Sequence, residues 1–286
     1  MGVTIISHSY SQKQVNLDVD NDLYFNRDFY YSSGIFLSFS SFKFNEINFF
    51  IDNFKLGQLI YTPSSRYETD PNKYDYPYSG YLFLEATRQL NISDYSSFTI
   101  GGNIGITGDA SLAKGMQNLY HDMVLNLPNL EWKSQMPQEF QFNIVAHYFK
   151  GLNLQDNINL TTKLYSRLGT YQVMAGLNIG LLIGELSWFS MSDNIINGSN
   201  NNLSFYIGTI QEYYLHDYKL EGSLFNENAK LTMPSKKYRN RVEIGFQKKF
   251  NKLQVLTTFN SMSKDTGMQR TFRHPFLKIS LTYKIN

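Results

Sequence analysis

The sequence contains no cysteine, which excludes a disulfide framework, a thiolate metal site and a cysteine nucleophile. Charged residues are also scarce: they make up 17% of the 286 residues, whereas a typical globular domain carries about a quarter. The formal net charge is only +2, and no basic stripe alternates with aromatic residues, so we expect no nucleic-acid partner. No window approaches about 18 consecutive apolar residues, which excludes a transmembrane helix.

The first seven residues lack the basic segment, the apolar core and the small-residue cleavage site of a signal peptide. If the protein is exported, we therefore expect this sequence to be the mature part of a precursor that carried one. Length alone does not decide between one large domain and two average ones.

Apolar residues recur with a period of two in segments of roughly nine to eleven residues, the length that a tilted strand needs to cross a bilayer. In 98–106, for example, Ile100 and Ile104 alternate with Gly101 and Asn103. The same pattern is clear in 140–148, 160–168, 171–181, 242–246 and 277–285, and weaker in 14–25, 34–44, 54–62, 81–90, 203–213, 218–225 and 253–262.

These segments number thirteen, but bacterial barrels close with an even number of strands, so we predict twelve and expect one weak segment to be wrong. The second face of the segments is rich in Gly, Asn, Gln, Ser and Thr, which suits a wet lumen better than the charged outer face of a β-sandwich. The sequence thus predicts an all-β fold. We expect a single domain over 1–286 that forms a closed antiparallel transmembrane β-barrel, with the first and last strands paired. A soluble all-β fold is the alternative.

Aromatic residues are abundant where charge is scarce: the chain holds 21 Tyr and 22 Phe, and its mean hydropathy is still negative at -0.34. Clusters at 29–31, 74–81, 188–189 and 213–214 lie near the ends of predicted strands. They indicate the aromatic girdles of a membrane barrel, although Tyr and Phe are favoured in any strand.

The alternation stops between Thr107 and Pro137. Asp109 or Ser111 could cap a helix that continues to about Met123. Such a helix would place Gln117 and His121 on one face, and a long loop of a barrel usually lies on the extracellular side. Histidine is the side chain best suited to general-base work near neutral pH, and one on a loop helix has access to substrate.

Two further polar clusters could carry chemistry. The first runs from Asp20 to Gly34, and its carboxylate and amide oxygens could bind a hard cation such as Ca²⁺, although such stretches are most often turns. The second is 75–80, preceded by Lys73, which is also typical of a proline turn with interfacial tyrosines.

Taken together, the clusters resemble the lipid A 3′-O-deacylase family. That family is marked by an early Asn-Asp, an Asp-x-x-Tyr-Thr-x-Gly element, a Gly-Gln-x-x-Tyr-Thr-Pro strand, an Asp-Arg-Pro-Tyr-Ala-Gly turn and a Gln-x-x-x-His helix. The corresponding residues, in the same order, are Asn21-Asp22, Asp28-Phe29-Tyr30-Tyr31-Ser32-Ser33-Gly34, Gly57-Gln58-Leu59-Ile60-Tyr61-Thr62-Pro63, Asp75-Tyr76-Pro77-Tyr78-Ser79-Gly80 and Gln117-Asn118-Leu119-Tyr120-His121. The motifs cover about the first half of the chain.

The resemblance implies a twelve-stranded barrel of the bacterial outer membrane, with a short helix in a long extracellular loop. It also implies Ca²⁺-dependent hydrolysis of the ester that holds the 3′ acyloxyacyl chain on lipid A. The substrate would be the lipid A of lipopolysaccharide, surrounded by outer-membrane lipid, and no protein partner is implied.

The resemblance also implies roles for particular residues. His121 would activate water as a general base, without a covalent acyl-enzyme, and Gln117 would position the imidazole or the ester. Asn21 and Asp22 would hold the cation or orient the histidine. The implied cation ligands are Asp22, Asp28, Ser32 and Gly34, and the implied substrate contacts are Tyr78 and Lys73.

Two positions depart from the family pattern. Tyr76 stands where the family has Arg, which removes a permanent cation that Lys73 or Arg66 would have to replace. Ser32 or Ser33 stands where the family has Thr, a mild change that keeps a hydroxyl.

Two alternatives to a lipid A deacylase stay open: a non-enzymatic barrel with a pore or structural role, and an esterase that acts on phospholipid.

Overall fold

The computed structural model describes residues 11–44, 49–65, 67–93, 95–184 and 203–285. These residues form a closed barrel of twelve antiparallel strands. The strands are β1 (Ser11–Asn21), β2 (Tyr30–Phe44), β3 (Phe49–Thr62), β4 (Ser79–Ser93), β5 (Ser96–Thr107), β6 (Phe140–Gln155), β7 (Ile158–Gly169), β8 (Gln172–Gly184), β9 (Leu203–Asp217), β10 (Tyr238–Phe250), β11 (Leu253–Ser263) and β12 (Arg273–Lys284).

Each strand pairs with its neighbours in sequence, and β1 pairs with β12 from Gln14 opposite Lys284 to Asn21 opposite Leu277. This pairing closes the barrel, so that the sheet formed by the described strands has no exposed edge. The predicted antiparallel barrel with paired first and last strands is therefore confirmed. The register of β2 against β3 shifts between Tyr31 and Ser33, near the start of β2, where β2 contains a bulge.

The two faces of the strands differ as the sequence pattern predicted. On β5, Ile100 and Ile104 are exposed on the outside, whereas Thr99 and Asn103 are buried inside. None of the helices in the described part of the chain is long and apolar enough to span a membrane.

The predicted strand at 218–225 is wrong. Its first residues, Tyr218–Glu221, form a short helix, and the backbone N–H of Asp217 donates to a side-chain oxygen of Glu221 at 2.9 Å. Gly222 then adopts φ +77°, a conformation that side chains other than glycine disfavour. Tyr218 and Leu220 are both buried and lie two positions apart, which is the apolar spacing of a strand. The local hydrogen bonds nevertheless favour a helical turn.

The predicted helix is present, with a different start. A 3-10 turn at Gly108–Ser111 precedes helix α1 (Ala113–Tyr120), and a π-helical turn at His121–Leu125 continues it. Leu112, at φ +60°, occupies the N-cap position, so the expected cap at Asp109 or Ser111 is wrong.

Helix α1 packs against the outer face of β3 and β4. Gln58 lies on the outward side of β3, in alternation with the exposed Leu56, and its side-chain amide donates to the Ser111 carbonyl at 2.7 Å. The neighbouring Gly80 must be small, because a Cβ there would lie 2.4 Å from the Cβ of Ala113. The helix therefore stands between the barrel wall and the lipid.

The long connections 22–29, 63–78, 108–139, 218–237 and 264–272 all lie at one end of the barrel, which is the extracellular end by the usual pattern. A buried aromatic cluster fills this end and includes Tyr30, Tyr31, Tyr61, Tyr76 and Tyr78. The aromatic residues at 74–81 that were expected in a girdle are therefore internal. Tyr213 is exposed as expected, and 188–189 lie outside the described residues.

The lumen also contains polar cavities of about 380 and 280 Å³. Both are lined by charges of both signs, among them Arg167, Arg241 and Glu212. The interior is therefore polar and the wall apolar, as an outer-membrane barrel requires.

Adjacent residues of β7 test this assignment of faces. Leu164 is exposed on the outer wall, and Lys163 lines a luminal cavity. Leu164→Arg should lower the free energy of unfolding in lipid vesicles by roughly 2–4 kcal/mol, because it places a charge against hydrocarbon. Lys163→Arg, the matched control, should leave it nearly unchanged. Equal unfolding curves for the two variants would contradict the orientation of β7.

Candidate active site at the outer rim of the barrel

Residues four apart on the wall-facing side of α1 and its continuation are buried: Ala113, Gln117 and His121. The predicted common face of Gln117 and His121 is thus confirmed. Most of the exposed residues of this segment are apolar: Leu112, Met116, Leu119, Tyr120, Met123 and Val124. A helix with buried polar side chains and mostly apolar exposed residues is suited to the boundary between membrane and water.

A buried carboxylate, Asp28, holds the imidazole of His121. Nε2 of His121 lies 2.9 Å from Oδ2 of Asp28, and both side chains are almost completely buried. The Nδ1 atom of His121 is buried and has no hydrogen-bond partner among the described residues. If Nε2–H donates to Asp28, Nδ1 is the nitrogen that can accept a proton.

Asp28 also accepts two further hydrogen bonds, both at Oδ1. The Ser32 hydroxyl donates at 2.7 Å, and the Gln117 side-chain amide donates at 3.3 Å. The other end of Gln117 accepts the indole N–H of Trp132 at 2.9 Å. Gln117 is therefore fixed at both ends and holds the helix to the loop before β2.

Asp22 lies beside this group but does not bond to His121. Its Oδ2 accepts the backbone N–H of Phe29 at 3.0 Å and lies 3.6 Å from Nε2 of His274, while its Oδ1 is buried without a partner. Burial is the largest cause that raises the pKa of the Asp22 carboxyl to about 8. The Asp28 carboxylate contributes in the same direction, and the Phe29 N–H opposes it.

Asn21 has a local role in this structure. Its side-chain oxygen accepts the backbone N–H of Leu23 at 2.7 Å, which ends β1 and opens a 3-10 turn at Leu23–Phe25. This turn is the reason that β1 stops at Asn21, short of the expected end at residue 25. Among the described residues, His121 thus bonds to Asp28 and to neither Asn21 nor Asp22.

Gly34 lies on the luminal side of β2, away from Asp28. A Cβ at Gly34 would lie 2.2 Å from the hydroxyl of Tyr31, which donates to Asp20 at 2.6 Å. The glycine therefore makes room for a luminal hydrogen bond. Of the four cation ligands implied by the resemblance, the structure brings together the side chains of Asp22, Asp28 and Ser32.

The two implied substrate contacts lie in different surroundings. Tyr78 is buried, with its ring stacked on Trp132 at 5.1 Å and edge-on to Tyr74 at 5.6 Å. Lys73 is exposed, and its ammonium lies 3.5 Å from Glu68. Both roles remain predictions.

Tyr76, which departs from the family pattern, is completely buried, and its hydroxyl donates to Asp265 at 2.8 Å. Asp265 lies 3.3 Å from Arg239 and 3.5 Å from Lys219. Although burial alone would raise the pKa of Asp265, these two cations hold it below its usual value. Arg66 lies outside the described residues, and Lys73 is paired with Glu68.

Three contributors to the site were not assigned a role from sequence. His274 had no neighbours in sequence that suggested one, yet it lies beside Asp22 and 3.0 Å from the Tyr31 carbonyl. Trp132 fixes Gln117. Thr62, whose hydroxyl donates to the Asp28 carbonyl at 3.3 Å, could have been found, because it belongs to one of the five motifs.

The oxygen atoms of this group fit a hard cation in part. Asp22 offers an unpartnered buried oxygen next to a second carboxylate, an arrangement that a positive charge would stabilise. In the described ranges, no three His, Cys, Asp or Glu side chains are arranged to hold a metal ion. Ca²⁺ would therefore need hydroxyl or backbone oxygens as well, which it accepts readily.

The barrel has an apolar wall, and at its extracellular rim His121 of the loop helix bonds to Asp28 of the loop before β2. These features define an outer-membrane β-barrel with a polar site at the membrane surface. The family described as outer membrane protein LpxR matches residues 2–285. The chain therefore belongs to this family and is a protein of the bacterial outer membrane. The resemblance drawn from the five motifs is confirmed.

The structure of LpxR from Salmonella typhimurium is similar, with a TM-score of 0.79 at 15% identity over 94% of this chain and 99% of that chain. The KdgM porin is 8% identical over 96% of this chain and 99% of that chain, with a TM-score of 0.44. The β domain of the Bordetella autotransporter BrkA is 7% identical over 96% and 98%, with a TM-score of 0.47. No curated protein matches the chain.

The central place of Asp28 can be tested by Asp28→Ala. This change leaves the Ser32 hydroxyl, the Gln117 amide and the His121 imidazole without their acceptor, at a cost of roughly 1–3 kcal/mol for each buried group. Amide hydrogen exchange in 113–125 should accelerate by at least about tenfold. The control, Asp122→Ala, removes an exposed carboxylate from the same segment and should not change exchange. Unchanged exchange in the Asp28 variant would show that the helix is held by other contacts.

Proposed function

We propose that this chain is a lipid A 3′-O-deacylase, a hydrolase that releases the 3′ acyloxyacyl chain of lipid A with a water molecule activated by His121 and with Ca²⁺ as cofactor. The observation that carries the proposal is the bond between His121 and Asp28 at the extracellular rim, where His121 lies on a helical segment whose exposed residues are mostly apolar. The five motifs and the family membership support it.

The proposed base is Nδ1 of His121. Asp28 accepts a hydrogen bond from Nε2–H, which fixes the tautomer and stabilises the imidazolium that forms when Nδ1 takes a proton from water. The resulting hydroxide attacks the ester carbonyl. The imidazolium then returns the proton to the leaving alkoxide oxygen, so that a free carboxylic acid and a sugar hydroxyl result.

The other residues position these groups. Asp28 takes the orienting role that the resemblance assigned to Asn21 and Asp22, and Ser32 and Gln117 hold its second oxygen. Gln117 acts through Asp28, since both ends of its side chain are engaged within the protein. Asp22 is held by Phe29 and keeps one oxygen unpartnered.

Asp22 would be the main ligand of the proposed Ca²⁺, with Asp28 and Ser32 next to it and Gly34 remote. When bound, Ca²⁺ would polarise the ester carbonyl and stabilise the negative charge that develops on its oxygen. A hydroxyl nucleophile is not required for this chemistry.

A phospholipid esterase is the second candidate, and Tyr76 is the observation that favours it. The position that carries an arginine in the family pattern holds a buried, neutral side chain, so it offers no cation to a lipid A phosphate. A pore is disfavoured: the lumen carries charges of both signs, but the aromatic cluster fills its extracellular end.

The base assignment predicts that His121→Ala releases no 3′ chain from purified lipid A, at least about 100-fold below wild type, because the general base is lost. His147→Ala is the matched control, since this histidine lines a luminal cavity, and it should keep wild-type activity. Mass spectrometry of the released acid measures the rate, and heat-modifiable gel migration checks folding. A fully active, folded His121 variant would exclude the mechanism.

The cofactor and the substrate can be tested in one series. Wild-type protein should lose the release of the 3′ chain in a calcium chelator and regain it on addition of excess Ca²⁺, because the cation stabilises the oxyanion. Phospholipid in place of lipid A should release little fatty acid. Activity that survives chelation argues against the cation, and preferential release from phospholipid supports the second candidate. No release from either lipid, together with ion conductance in planar bilayers, would indicate a pore.

A further inference from the structure

An apolar groove of about 660 Å³ runs along the outer wall of the barrel, across β1 to β6. Its floor is made by two small outward-facing residues, Ala86 on β4 and Gly102 on β5, which are direct partners in the sheet. Phe54 on β3 and Phe142 on β6 stand at its sides. The groove therefore results from two small residues placed side by side between larger apolar side chains.

The groove lies on the same strands and the same face as the catalytic helix. On β3, Gln58 contacts the turn before α1, and Leu56, two residues further along the outward row, lines the groove. At about 3.3 Å per residue this separation is roughly 7 Å. On β4, Gly80 lies under Ala113, and Leu84 lines the groove roughly 13 Å further along. The groove therefore begins below the start of helix α1, the helix that leads to His121.

The location also decides the chemistry of the occupant. The groove opens to the hydrocarbon of the outer membrane, and its wall is almost entirely apolar, so its occupant is an acyl chain. A chain attached to an ester at the level of His121 points away from the membrane surface, into the hydrocarbon. It therefore meets the wall along β3 and β4, where the groove lies.

We propose that this groove binds an acyl chain of the substrate and thereby positions its ester at His121, an inference that rests on the proposed function. The groove selects for the length of the acyl chain: a chain that fills it holds the ester carbonyl next to the imidazole of His121. A chain that cannot enter it leaves the ester free to move. The expected consequence is a preference for chain length that depends on the volume above Ala86.

Cross-linking tests the placement without any need for turnover. The probe is lipid A with a photoactivatable diazirine in its 3′ acyl chain, bound to the His121→Ala variant in detergent. Mass spectrometry should find the adducts concentrated on β3, β4 and β5 near Phe54, Ala86 and Ile104. A phospholipid with the same diazirine is the control and should label the wall of the barrel broadly. The same distribution for both probes would overturn the proposal.

Kinetics test the role of the groove. Ala86→Phe fills it from the outside, and should slow release from long-chain lipid A by at least about tenfold, since small displacements of a reacting group are costly. Release from lipid A with shortened chains should fall much less. Ala175→Phe is the matched control, because Ala175 is exposed on the outer face of β8, four strands away, and it should behave as wild type.

The outcomes separate this proposal from the proposed function. If the wild-type protein hydrolyses lipid A and Ala86→Phe does so equally well on both substrates, the groove has no role. If the wild-type protein releases no acyl chain, the proposed function fails, and the cross-linking result alone decides whether the groove binds the chain. Should the Ala86 variant fail to fold, as judged by heat-modifiable migration, cross-linking decides in the same way.

Discussion

The site depends on one buried carboxylate. Asp28 accepts hydrogen bonds from the loop helix through His121 and Gln117 and from the barrel wall through Ser32, so it joins two parts of the chain that lie about ninety residues apart. A carboxylate held inside protein is costly unless it is bonded, and these three groups meet that requirement. Because the helix stands outside the wall, the same bonds also keep the imidazole at the level of the membrane surface.

The extracellular end of the barrel is held by a second buried network. Asp217 and Asp265 are paired with Lys219 and Arg239, and the Tyr76 hydroxyl joins this group from the turn at 75–80. Tyr76 also stacks on Tyr61, so the turn is tied to the aromatic cluster as well as to the charges. The network explains why a tyrosine fits at a position where the family pattern has arginine. The Tyr76 hydroxyl donates to Asp265, which is already paired with two cations.

The barrel could be predicted from sequence because the alternation of faces is a local pattern, visible strand by strand. The segment 218–225 failed because two buried residues of a short helix, Tyr218 and Leu220, have the same spacing as a strand, and the helix is set by a bond from Asp217 to Glu221. The common face of Gln117 and His121 was predictable from helical geometry. The carboxylate that bonds to the histidine was not predictable. Asp22 and Asp28 lie close to each other in sequence, and only the path of the loop decides which of them reaches His121. His274 could not be found because its partner Asp22 lies at the other end of the chain.

The bulge in β2 has a wider meaning for this architecture. A regular strand sends neighbouring side chains to opposite sides of the wall in strict alternation, so the inside and the outside cannot be adjusted separately. The extra residue at Tyr31 to Ser33 breaks that coupling. Tyr31 bonds Asp20 within the lumen while Ser32 bonds Asp28 beside the helix. A single inserted residue thus lets one strand contribute side chains to two separate polar groups, one in the lumen and one beside the helix. The arrangement of the polar site at the membrane surface therefore depends on the register of the sheet.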